Sequence, residues 1–207
     1  MTENRLFVDL RKNINVTKIA IFASGRGSNA RNIIDFFKGH ASISVKMVIS
    51  NKKDAPVLDI GKHANINTMI INRADFYNST EVLNTLRQQH IDFIVLAGFL
   101  WLIPSYLVTA YYNRIVNIHP ALLPKYGGKG MYGMNVHEAV FAAKETETGI
   151  TIHFVNEQYD EGDIIFQERC TLDATDTPER IAQKIHQLEQ THFPRVIAAT
   201  IEKLIKS

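Results

Sequence analysis

Asn117 and His119 stand two apart at the end of an apolar run, and Pro120 follows them at once. Side chains two apart in a strand face the same way, so an amide and an imidazole here reach toward one point in space. Pro120 biases His119 toward extended backbone, as suits a strand that ends in a loop. Asp160 lies in a separate acidic turn, Asn156-Glu-Gln-Tyr-Asp-Glu-Gly162. An amide donor, an imidazole and a carboxylate suffice for acyl or formyl transfer: one steadies an oxyanion while the others orient and move protons. Taken singly, each has a plainer reading, the Asn-x-His-Pro run as a strand end and Asp160 as a turn acid.

The elements that must position these groups come in a regular order. Residues 18–24 (KIAIFAS), 45–50, 68–71, 93–97 and 114–118 read as strands. Helical patterns alternate with them from Ser28 through Phe37, over 55–64, over 79–90 and after Pro104. That βα alternation predicts an α/β, three-layer, Rossmann-like fold with a mostly parallel central sheet. The very apolar 93–97 run belongs at its centre. Such sheets place ligands beyond the carboxyl ends of their strands, where Gly25, Gly98 and His119 all fall.

The second half has a different texture. Residues 120–134 are rich in Pro, Gly and Lys, as in a mobile loop over a site. Residues 149–155 and 163–170 alternate like strands and flank the Asp160 turn, predicting an antiparallel C-terminal pair. Thr177-Pro178-Glu179 opens a last helix with an apolar stripe at Ile181, Ile185 and Leu188.

Gly25-x-Gly27-x-x-Ala30 follows a strand and opens a helix, which formally meets the dinucleotide fingerprint. The second strand, however, ends in Ser50-Asn51-Lys52-Lys53, where a ribose-binding acid would be expected. A phosphate monoester held by backbone N–H groups fits better, while a plain tight turn would also need the glycines. Phe99 to Ile103 is unusually apolar for a strand–helix junction. Core packing and a wall for a flat heteroaromatic ligand are both open readings.

The 207-residue chain is 45% hydrophobic and 21% charged, with a net charge of +2. One compact domain is expected, with no polyanion-binding surface and hence no nucleic-acid partner. No stretch has the length of a membrane span, and the first residues lack the apolar core of a signal peptide, so a cytoplasmic location is expected. Cys170 is single, which excludes an internal disulfide and a cysteine-rich metal site, and it reads as a strand residue. The histidines form no metal-ligand pattern. His137, His153, His186 and His192 read as structural or surface residues, and no metal is called for.

Together these pieces resemble the phosphoribosylglycinamide formyltransferase family, folate-dependent enzymes of purine synthesis. The resemblance runs from Lys18 to about Leu204 and rests on SGRGSN (24–29), SNK (50–52), VLAGF (95–99), NIHPALLPKY (117–126), HEAV (137–140), the GITIHFV…YDEGDII region (149–165), and Glu189 ahead of Phe193-Pro194. It implies formyl transfer from 10-formyltetrahydrofolate to the primary amine of glycinamide ribonucleotide, with a monomeric or homodimeric enzyme. It matches Asn117, His119 and Asp160 to the catalytic side chains. Gly27, Ser28 and Asn29 match the phosphate loop, and Glu189 matches the ribose-contacting acid. The folate pocket falls on Leu100, Trp101, Leu102, Ile103, Val155, Asn156 and Tyr159, and Thr151 matches a small hydroxyl residue near the site. The expected layout is an extension over 1–17 and a single formyltransferase domain over 18–207.

Two departures stand out: Trp101, where many members carry a basic or smaller residue, and the glycine-rich segment 127–133. Rival readings are a formyltransferase acting on initiator tRNA or an amino sugar nucleotide, a formyl-folate hydrolase, and a binding module without turnover. The tRNA enzyme would need a second, RNA-binding domain, for which 207 residues leave no room, and the hydrolase usually carries an added regulatory domain.

Overall fold

The computed structural model describes residues 16–206. Seven strands form one sheet in the order β3-β2-β1-β4-β5-β6-β7. The first five in that order, β3 (Asn67–Ile70), β2 (Ile43–Ser50), β1 (Thr17–Phe22), β4 (Phe93–Leu96) and β5 (Ile115–His119), run parallel. β6 (Glu147–Phe154) is antiparallel to β5, and β7 (Ile164–Thr171) is antiparallel to β6. The mixed architecture expected from the sequence is the one observed.

The period of two along each strand divides the core between two faces. Ile19 and Ile21 of β1 and Ala23 just after it face one way, with Phe93 and Val95 of β4. They pack on α1 (Ser28–Phe37), α2 (Pro56–His63) and the 29-residue α7 (Pro178–Lys206). Ala20, Phe22, Ile94 and Leu96 face the other way, onto α3 (Arg73–Asn78), α4 (Glu81–Gln88) and α5 (Ser105–Ala110). Strands buried on both faces account for the unbroken apolar runs. Each fully buried isoleucine contributes roughly 2–3 kcal/mol of transfer free energy.

Several boundaries differ from the sequence reading. The helix expected over 79–90 is preceded by a separate one, α3, which Asn72 caps by accepting from the Asp75 N–H at 2.9 Å. That cap is the Asn-x-x-Asp signal at its start. Thr17 is the first residue of β1 and pairs with Ile43, so the strand reaches into the expected extension, while residues 1–15 lie outside the described residues. Thr177 does cap α7: the Arg180 N–H donates to its hydroxyl at 3.4 Å.

The chain leaves β1 toward β2 and β3 on one side, then returns to lay β4 and β5 on the other. The crevice at this reversal, beyond the carboxyl ends of β1, β4 and β5, is where an open α/β sheet binds ligands. A cavity of about 900 Å³ lies there.

Candidate active site

Asn117 and His119 share a face of β5, and antiparallel pairing sets His153 and Thr151 of β6 directly opposite them. The turn between β6 and β7 brings in Asp160, whose backbone takes φ +58°, a left-handed conformation that aspartate tolerates better than most residues. The Asn117 Nδ2 group donates to Asp160 Oδ1 at 3.4 Å and lies 3.1 Å from His153 Nε2. His119 Nδ1 faces Asp160 Oδ2 at 3.4 Å, with the two side chains only 3% and 10% exposed. His153 Nε2 stands 3.6 Å from the other carboxylate oxygen.

Backbone carbonyls set the histidine tautomers, because a carbonyl only accepts. His119 Nε2 donates to the Tyr126 carbonyl at 2.8 Å, which leaves Nδ1 of the neutral ring free to take a proton beside Asp160. His153 Nδ1 likewise donates to the Phe154 carbonyl at 2.7 Å, so its Nε2 accepts from Asn117. Burial holds the His119 ring below its usual pKa, against the pull of Asp160. Burial alone pushes Asp160 up, but the neighbouring His153 and His119 rings and the Gly128 N–H together hold it below the usual carboxylate range. The resting pair is therefore a neutral imidazole beside a carboxylate, ready to receive a proton and stabilise it.

Gly27, Ser28 and Asn29 line the same cavity. Gly27, at the N-cap of α1, has φ +77°, and a Cβ there would lie 2.6 Å from Val57 Cγ2. Only glycine meets both demands. No side chain caps α1, so its first N–H groups remain available to an anion. Asn29 Nδ2 donates to Glu189 Oε2 at 3.0 Å, and Gln190 Nε2 donates to Asn29 Oδ1 at 2.8 Å. These bonds tie α7 to the loop across 160 residues of sequence.

A formyl transferase family model matches residues 17–197. The chain is 40% identical over 195 residues to a chloroplastic phosphoribosylglycinamide formyltransferase of Arabidopsis thaliana, covering 91% of this chain and 67% of that protein. It is 35% identical to phosphoribosylglycinamide formyltransferase of Haemophilus influenzae, covering 87% of this chain and 85% of that one. The crystal structure of the Bacillus halodurans phosphoribosylglycinamide formyltransferase superposes with a TM-score of 0.81 at 36% identity, covering 91% and 97% of the two chains. The chain belongs to the phosphoribosylglycinamide formyltransferase family.

Against the family's expected folate pocket, Leu100, Trp101, Leu102, Ile103, Val155 and Tyr159 all line the cavity. Asn156 is not among its lining residues. Its carboxamide oxygen accepts from the Gln158 N–H at 2.9 Å, within the same turn. Trp101 packs on Phe76, Tyr77 and Phe99 with ring centroids 5.6–6.2 Å apart. The Arg73 guanidinium lies 5.1 Å from the Tyr77 centroid and 5.7 Å from that of Trp101, a cation–π arrangement. Thr151 is fully buried. Its hydroxyl donates to the Ala121 carbonyl at 2.7 Å and accepts from the Leu123 N–H at 3.0 Å, pinning the loop after β5.

Of the four histidines read as structural or surface residues, His137, His153 and His186 line the cavity, His186 with its side chain half-exposed, and His192 stacks on Phe166. For His153 the signal was its alternation within 149–155, but its use depended on the β5–β6 register. Tyr126 and Gly128 act through backbone atoms, which no side-chain pattern announces. Among the described residues, no three His, Cys, Asp or Glu side chains are grouped to hold a metal ion, and no helix is long and apolar enough to cross a membrane.

Proposed function

We propose that this chain transfers the formyl group of 10-formyltetrahydrofolate to the primary amine of 5′-phosphoribosylglycinamide, giving the N-formyl ribonucleotide and tetrahydrofolate. The observation that carries the reading is the meeting of Asn117, His119 and Asp160 within 3.4 Å, in one cavity with the free N-terminus of α1. Family membership supplies the two substrates. The cavity is large enough for both ligands to meet inside it.

In this reading the ribonucleotide phosphate rests on the N–H groups of Gly27, Ser28 and Asn29, and Glu189 meets the ribose. The apolar wall of Leu100, Leu102 and Val155 takes the flat face of the folate ring system, and Trp101 and Tyr159 flank it. The amine attacks the formyl carbon directly. Asn117 donates to the carbonyl oxygen as it gains charge, exchanging its long bond to Asp160 for the ligand. His119 takes a proton at Nδ1 from the attacking amine, with Asp160 balancing the charge, and a proton passes to the departing folate nitrogen. No covalent enzyme adduct is required, and holding both reactants in one cavity supplies much of the rate.

The test combines purified protein, 10-formyltetrahydrofolate and glycinamide ribonucleotide, following deformylation spectroscopically and the formylated product by mass. Signals that appear together and need both substrates support transfer. Folate loss without the amine means hydrolysis, and the absence of both signals with folded protein sinks the reading.

A further inference from the structure

His137 is a buried imidazole that the catalytic geometry above does not use. It sits one turn into α6 (Met134–Ala142), whose first residue, Met134, also lines the cavity, and α6 packs against α7. Its side chain lines the same cavity although the residue is only 6% exposed. Nδ1 is shut away from solvent without a hydrogen bond, and among the described residues no partner occurs for Nε2. A residue needed only to fill this space is better served by leucine or methionine, which leave no buried polar atom unpaired.

Burial lowers the pKa of the ring, so it is neutral near pH 7, with one donor and one acceptor nitrogen. An orphaned buried N–H is the rarer and costlier defect, and Nδ1 is the nitrogen sealed off. The proton therefore belongs on Nε2, the nitrogen left for the cavity. The two ionisable groups whose charge reaches the ring are Glu189 and His119. Glu189 is bonded through Asn29 to the free end of α1, and His119 stands at the reacting end. A donor that shares the cavity with both groups suits an acceptor substrate stretched from phosphate to amine.

We propose that His137 is a substrate-binding residue whose Nε2–H donates to the carbonyl oxygen of the glycinamide arm, fixing the amine in line with the formyl carbon. This rests on the function proposed above. It gives His137 a part in selecting the ribonucleotide over amines that lack such an acceptor, and none in holding folate.

His137→Phe and His137→Gln variants test it, with KM measured for each substrate and thermal melting recorded. The Phe variant should raise the KM for glycinamide ribonucleotide about tenfold, the value of one neutral hydrogen bond, and leave that for 10-formyltetrahydrofolate within about twofold. Gln places an amide N–H near the position of Nε2 and should recover most of the loss. An unchanged ribonucleotide KM in the Phe variant overturns the inference, as does an equal rise in both KM values or a Gln variant no better than Phe. Should the Phe variant not fold, nitrogen NMR of histidine-labelled wild-type protein decides: the His137 resonances must show the Nε2–H tautomer and move with the ribonucleotide but not with the folate. Other behaviour overturns it. If the unaltered protein transfers no formyl group to the ribonucleotide, the proposed function fails and takes this inference with it; transfer with an unchanged ribonucleotide KM in the variant removes the inference alone.

Discussion

The Gly128 N–H donates to Asp160 Oδ2 at 2.9 Å, so the glycine-rich loop after β5 holds the carboxylate that faces His119. Two residues earlier, the Tyr126 carbonyl accepts from His119 Nε2. One loop thus sets the tautomer of the imidazole and the place of its acid.

Gly127 sits between those two contacts. A Cβ added there would lie 2.6 Å from Leu123 Cδ2 and 3.3 Å from Asp160 Cβ, so the acid must shift by a few tenths of an ångström. Gly127→Ala should slow turnover about tenfold, since small displacements of a reacting group are costly. Melting curves should show only a modest change. Full turnover in a folded variant would mean that the loop does not position Asp160.

Asn117→Ala removes the N–H group proposed to meet the developing oxyanion. Loss of one such donor costs roughly 10²-fold in kcat, or about 3 kcal/mol, with little change in either KM. Steady-state kinetics under saturating substrates checks it, and an unchanged kcat discards the assignment.

The pH dependence of kcat follows from the His119–Asp160 pair. His119 must be neutral to accept a proton, and burial holds its pKa below the usual 6.5, so activity should persist below pH 6.5 before it falls. Asp160 raises the His119 pKa, so Asp160→Asn should lower kcat and move the acid limb to still lower pH. A limb that stays in place or moves upward contradicts the coupling.

Stability should follow the same groups. The unfolded chain protonates His119 near pH 6.5 while the folded state resists it, so stability is lost as pH falls from about 6.5 through the folded pKa. Asp160, held below its ordinary 3.8, adds stability that is present above that value and lost as pH falls through its own folded pKa. Thermal melts of wild type and His119→Asn between pH 7 and pH 5 test the first window, where the variant should lose less.

Trp101→Ala removes a ring that packs against Phe76, Tyr77 and Phe99 and lies under the Arg73 guanidinium. The KM for 10-formyltetrahydrofolate should rise several-fold, with that for the ribonucleotide unchanged, because exposed cation–π and aromatic contacts are worth about 0.5–1.5 kcal/mol each. Equal effects on both KM values would assign Trp101 to the core alone.

The sequence by itself determined the parallel half of the sheet, because strands buried on both faces must be continuously apolar and their helices amphipathic. It also determined that Asn117 and His119 point the same way, since a period of two is a local property of a strand. The glycine turn before α1 was legible for the same reason: glycines between a strand and a helix act where they stand. Tertiary structure alone decided which distant groups meet these residues. The β5–β6 register sets His153 against Asn117, and a one-residue slip would have turned it to the other face. The bonds of His119 and Asp160 to Tyr126 and Gly128 use main-chain atoms that every residue carries, so residue type gave no sign of them. The Asn156 carboxamide oxygen, expected at the folate pocket from the family resemblance, accepts from the Gln158 N–H within its own turn, a bond that only the folded backbone reveals.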